Sequence, residues 1–156
     1  MKKHIRKRIP GLTALLLSVC LLFGAAAGAE EGTAWPVIDL DLSAMSGTIV
    51  YAQVYNLLYD PSPWLGKVIR MTGYYSAFED TTTKMVYHAC VIPDATACCA
   101  QGIEFVWEGD HVWPDDYPAE ATDITVTGRL EIYEENGINY LHLVGAEVAW
   151  EQEAME

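Results

Sequence analysis

Two stretches of this sequence carry the same short pattern, Ile69-Arg70-Met71-Thr72-Gly73-Tyr74 and Ile124-Thr125-Val126-Thr127-Gly128-Arg129. In each, apolar and polar residues alternate with a period of two, as in a strand with one buried face. In each, a glycine falls at mid-strand. A glycine there marks a bulge, or the tight bend at which a strand turns a barrel corner. Two such strands point to a curved β architecture.

The rest of the pattern fits around them. The first strand starts at Lys67 and ends before a turn at Glu79-Asp80-Thr81-Thr82-Thr83. A second strand runs from Lys84 to Ile92 and a third from Ile103 to Trp107; after the interruption Gly109 to Ala121, a fourth runs from Ile124 to Ile132. Glu134-Glu135-Asn136-Gly137 reads as a hairpin turn by its Asn-Gly pair, leading into a fifth strand from Ile138 to Val144 or a little beyond. Before the strands, residues 49–59 place apolar side chains at 50, 54 and 57 with three-and-four spacing. That spacing predicts a helix, with Ser46 or Thr48 as N-cap and Asp60-Pro61-Ser62-Pro63 as its stop. Tyr51, Tyr55 and Tyr59 form a stripe on this helix, expected to pack against the sheet. The fold expected is mainly β, a five-stranded OB-like barrel with one N-terminal helix closing one end. A small β-sandwich is the alternative.

The N-terminus bears on compartment. Lys2, Lys3, Arg6, Lys7 and Arg8 precede an apolar run from Leu12 to Phe23, and Ala27-Gly28-Ala29 follows as an A-x-A cleavage site. Residues 1–29 therefore read as a signal peptide cleaved after Ala29. The run falls short of the roughly 20 apolar residues a spanning helix wants. Val19 is bulkier than the small residue expected before a lipid-bearing cysteine, which sets lipoprotein processing at Cys20 behind the A-x-A site. Residues 30–45 are expected to be a leader segment, 46–150 the OB-like domain and 151–156 an acidic tail.

Cleavage would leave four basic residues, Lys67, Arg70, Lys84 and Arg129, against all 22 acidic ones, a net charge of −18. Nucleic acid, which is bound mainly through Lys and Arg on phosphates, is excluded as an expected partner. No membrane association is expected after cleavage either. The setting is extracytoplasmic, with a cell-envelope protein or a small ligand as the partner class.

Cleavage also removes Cys20 and leaves Cys90, Cys98 and Cys99. Cys90 lies late on the second strand, the Cys98-Cys99 pair just before the third, and His88 shares the parity of Cys90. Three readings compete. An oxidising compartment favours a disulfide from Cys90 to Cys98 or Cys99, for which closing so short a loop contributes about 2–3 kcal/mol. Clustered thiolates with an imidazole suit a soft metal, Zn or Cu, held by Cys90, Cys98, Cys99 and His88. Thiol exchange lacks a Cys-x-x-Cys at a helix start.

The segment from Ala89 to Phe105, containing Cys90-Val91-Ile92-Pro93 and Cys98-Cys99-Ala100-Gln101-Gly102, follows Trp64-Leu65-Gly66-Lys67-Val68-Ile69-Arg70-Met71-Thr72-Gly73. Together they resemble a group of exported proteins of Gram-positive anaerobes, over about residues 47–148. They are more distantly similar to the OB-like domain that ends YcgQ-type membrane proteins, in which a Cys-Cys pair follows a strand in the same way. The resemblance implies the barrel and marks Cys90, Cys98 and Cys99. It implies no activity.

Elsewhere the sequence offers no catalytic signature. The carboxylate pairs Glu79-Asp80, Asp115-Asp116 and Glu134-Glu135 fall in turns and loops, where solvation is the expected role. His111 and His142 read as surface histidines, His142 on one strand face with Tyr140. No nucleophile elbow or phosphate loop occurs. The expected function is an exported, non-catalytic binding module holding a soft metal; the alternative is a disulfide-stapled interaction domain without one.

Overall fold

The computed structural model describes residues 35, 37–93 and 99–151. The stretch expected to be a signal peptide, with Cys20 and Ala29, as well as Cys98 and most of the expected acidic tail, lie outside the described residues. The described residues fall in the unit Thr33–Glu156. Their chain order is β1 (Leu40–Asp41), α1 (Gly47–Tyr59), a single 3-10 turn (Ser62–Trp64), β2 (Val68–Glu79), β3 (Val86–Pro93), β4 (Ala100–Trp107), β5 (Asp123–Glu135) and β6 (Ile138–Trp150).

All six strands belong to one sheet in the order β1-β2-β3-β4-β6-β5, rather than to the two stacked sheets of a sandwich. β5 also pairs back onto β2, so each strand from β2 to β6 has a hydrogen-bonded neighbour on both sides. The β1–β2 and β4–β6 pairs are parallel and the others antiparallel.

The two glycines sit where β2 and β5 change course. β2 pairs with β5 from Val68 to Tyr74 and with β3 from Tyr74 to Glu79, so Gly73 immediately precedes the hand-over. Gly128 lies at the register shift of β5 against β6, between Thr127 and Arg129. Asn136 and Gly137 form the two-residue turn between β5 and β6, both with positive φ, 53° and 80°. This is the backbone that Asn-Gly hairpins favour.

The segment expected as a leader is in part built into the sheet. Leu40 and Asp41 pair with Ile69 and Arg70, and Leu42 is completely buried. Trp35 Nε1 donates to the Gly145 carbonyl at 3.2 Å, and the Arg129 guanidinium lies 6.0 Å over the Trp35 ring. A strand of two residues leaves no periodicity in a sequence, which is why a leader was expected there.

α1 follows Ser46, whose extended backbone makes it the N-cap, though its side chain makes no capping bond. The helix buries Val50, Val54 and Leu57 and packs against β3 and β4. Burying side chains of this size contributes roughly 1.5–3 kcal/mol each. The tyrosine stripe is corrected: Tyr51 is partly buried, whereas Tyr55 and Tyr59 stack on each other at 6.4 Å on the solvent side. A stripe at i, i+4 and i+8 drifts around a helix of 3.6 residues per turn, and the aliphatic stripe takes the buried position. Among the described residues, no helix is long and apolar enough to cross a membrane.

Candidate functional site

The strands have two faces, and the chemistry divides between them. On β3 the even positions His88, Cys90 and Ile92 face inward, where Cys90 and Ile92 join the core cluster, while Tyr87, Ala89 and Val91 face out. The parity argument thus places His88 and Cys90 on one face, and that face is the interior.

Cys90 is a fully buried free thiol. Burial pushes it up to about 12, so it stays protonated. The disulfide expected from Cys90 is not formed. Cys99 is exposed, so the two described cysteines do not share an environment. His88 Nδ1 is 2.8 Å from the Tyr75 hydroxyl, and its ring stacks on Tyr117 at 4.0 Å. Among the described residues no group of three or more Cys, His, Asp or Glu is arranged to hold a metal ion. Cys98, one of the four expected ligands, lies outside the described residues, and the buried Cys90 thiol would have to lose its proton to bind Zn or Cu.

The environment of His88 has a measurable consequence. Desolvation lowers its imidazole to about 4, with the Glu120 carboxylate pulling the other way. The unfolded chain, with an ordinary histidine near 6.5, therefore takes up the proton first as pH falls. The contribution is fully present above about pH 6.5 and is lost between there and about 4. A shift of this size in a dry site corresponds to about 3 kcal/mol, and solvent reaching the ring reduces this to on the order of 1–2 kcal/mol. Urea denaturation of the wild type and His88→Phe at pH 7.5 and pH 5 should show their stability difference changing by that amount, with the wild type losing more on acidification. Equal losses in the two proteins would contradict it.

The outer face carries a concave groove of about 410 Å³. Its walls include Phe78 at the end of β2, Tyr87 on β3, Tyr133 on β5 and Tyr140 on β6, with Asp80 and Asn136 from the adjoining turns. The rings form two pairs: Phe78 and Tyr87, cross-strand partners, stack at 6.5 Å, and Tyr133 and Tyr140, also cross-strand partners, stack at 5.4 Å. Two carboxylates are held between strands. The Tyr87 hydroxyl donates to Glu135 across from β3 to β5, 2.8 and 2.9 Å from its two oxygens, and the Tyr133 hydroxyl donates to Glu104 on β4.

These bonds set the protonation states. The hydrogen bond to Glu135, more than burial, raises Tyr87 to about 12. Burial first and the bond to Glu104 second raise Tyr133 further. A phenolate beside a carboxylate would place two negative charges in contact, so the tyrosines remain neutral donors. His142 packs against Tyr133 at 4.7 Å with the rings tilted by 37°, and burial lowers its imidazole. His111 stacks on Trp107 at 3.6 Å. Both are half-buried, each ring lying against an aromatic neighbour.

Of the groove residues, Asp80 and Glu135 read in the sequence as turn carboxylates, while Phe78, Tyr87, Glu104 and Tyr133 stand out by no motif. One signal was available. A two-residue turn at Asn136-Gly137 fixes the register Glu135↔Ile138, and therefore Tyr133↔Tyr140, two steps back along the hairpin.

No protein-family model matches the chain, and no curated protein matches it. Among solved structures it is similar to the OB domain of a protein from Thermoplasma acidophilum, at 14% identity and a TM-score of 0.27, over 57% of this chain and 79% of that one.

Proposed function

We propose that this chain is an exported, non-catalytic binding module, an OB-like barrel of six strands, one more than the sequence predicts because of the short β1, that takes an extended ligand in the groove across β2, β3, β4, β5 and β6. The barrel is supported by the ring of pairings from β2 through β3, β4, β6 and β5 back to β2. The observation that carries the function is the groove itself, with two stacked aromatic pairs and two carboxylates fixed by tyrosine hydroxyls. Its volume lies within the range of small-ligand sites, roughly 300–1,000 Å³, and such sites pair aromatic walls with a few oriented polar groups. The β2–β3 and β5–β6 turns that contribute Asp80 and Asn136 to the groove correspond to loops that OB-folds use for extended ligands. The burial of Cys90 speaks for this role over a soft-metal one.

The exposed rings test it. Phe78 is 67% exposed and Tyr140 37%, so truncating them should leave the fold intact. Calorimetric titration with hexalysine, chitotetraose and hexaglutamate should find at least one binder among the cationic, neutral and anionic probes. The double variant Phe78→Ala/Tyr140→Ala should weaken that binder about tenfold, since losing two aromatic contacts costs roughly 0.5–1.5 kcal/mol each. Affinity retained within about twofold, on the same scale, would overturn the assignment.

A further inference from the structure

The lining of the groove also bears on what it takes, and this inference rests on the groove being the binding surface. Three carboxyl groups line it from three separate places: Asp80 in the β2–β3 turn, Glu104 on β4 and Glu135 at the end of β5. Among the described residues that line it there is no Lys, Arg or His. The nearest basic residue in sequence, Lys84 of the same turn as Asp80, is paired with Glu79 at 3.2 Å.

The carboxylates have capacity to spare. A carboxylate offers more acceptor sites than one donor fills, and among the described residues one tyrosine hydroxyl donates to each of Glu104 and Glu135. Backbone N–H groups of Thr82 and Thr83 hold the Asp80 carboxyl below its usual range, so it is ionised. The aromatic ring faces beside them are also negative, by their quadrupole.

The charged side chains among the described residues lining the groove are therefore all acidic. An anionic ligand would be repelled, and a neutral one would leave the potential unmatched. One isolated amine could satisfy one carboxylate but not three on separate elements.

We propose that the groove binds an extended, Lys- and Arg-rich segment of a partner protein, its cationic groups meeting Glu104, Glu135 and Asp80 and packing over the aromatic rings. The test is titration of the purified protein with hexalysine, with hexalysine acetylated on its side-chain amines, and with chitotetraose, each followed by amide chemical shifts. Hexalysine should bind with shifts at groove amides, and acetylation should weaken it at least about tenfold. Glu104→Gln/Glu135→Gln, which keeps an acceptor for both tyrosines, should weaken hexalysine by a similar factor. Asp110→Asn/Asp115→Asn removes the same charge from an exposed loop outside the groove and should change affinity less than about twofold.

Equal weakening by the two double variants would mean attraction to the overall negative charge, and would overturn the proposal. Acetylated and unmodified peptide binding alike would overturn it too. Chitotetraose shifting the groove amides while hexalysine does not would refute the basic partner and leave the groove standing. Shifts at groove amides with none of the three probes would refute both.

Discussion

Replacing Gly73 with alanine should cost about 3 kcal/mol of stability, at the upper end of overpacking changes. A Cβ built on Gly73 would lie 2.4 Å from the Val91 carbonyl oxygen and 3.0 Å from Cys90 Sγ. The oxygen belongs to the backbone of β3, which pairs with β2 at Tyr74↔Val91, so it cannot retreat without opening the ladder there. The thiol is in the closed core. Gly128→Ala should be milder, because its Cβ would meet Leu143 Cβ at 3.0 Å and the Val144 oxygen at 3.2 Å. Gly47→Ala is the control: it opens α1, its Cβ would meet nothing within 4 Å, and alanine has the higher helix propensity. Urea midpoints should fall in the order Gly47→Ala, wild type, Gly128→Ala, Gly73→Ala from most to least stable. A Gly73→Ala protein as stable as wild type would refute the close approach of β2 and β3.

Leu42→Ala should be nearly as damaging, with a loss of about 2–4 kcal/mol and a fall of roughly 10 °C in Tm. Leu42 is completely buried beside the two-residue strand β1, and its N–H donates to the Arg70 carbonyl at 2.8 Å. Asp39 adds an exchange with Val68, donating its N–H to the Val68 carbonyl at 2.9 Å while its carboxylate accepts the Val68 N–H at 2.9 Å. A leader that only trails the domain could lose a leucine side chain without consequence. Thermal unfolding of the variant distinguishes the two, and a change under about 2 °C, well below the range for a cavity of this size, would return residues 39–42 to the status of a leader.

Much of the fold was legible because it depends on local rules. The Gly73 and Gly128 repeat located the two strands that change course, the Asn136-Gly137 pair located the β5–β6 turn, and the aliphatic spacing at 50, 54 and 57 located α1. The strand ends were less legible. Glu134 and Glu135 read as turn residues because they adjoin the Asn136-Gly137 pair, yet both belong to β5, where Glu135 faces outward and accepts from Tyr87. β6 runs past Val144 to Trp150 through Gly145, whose φ of 57° breaks the alternation on which the sequence reading relied.

The candidate site was largely hidden for a different reason. A cysteine cluster announces itself by residue type, so Cys90, Cys98, Cys99 and His88 drew attention. The fold instead sends Cys90 to the core and the His88 ring against Tyr117. The groove is assembled from side chains of five strands, none unusual by type. Their meeting depends on register between β3 and β5, strands remote in sequence that pair with each other nowhere, and only the Tyr133–Tyr140 pair follows from a local turn.

The central claim is that the groove is the binding surface. The most direct measurement is an amide chemical-shift map of the protein with whichever of hexalysine, chitotetraose or hexaglutamate binds most tightly. The largest shifts should cluster at Ser76, Phe78, Ala89, Glu104, Asn136 and Tyr140, all lining the groove. Shifts confined to α1 or to the strand start beside Cys99, with the groove amides unmoved, would contradict it.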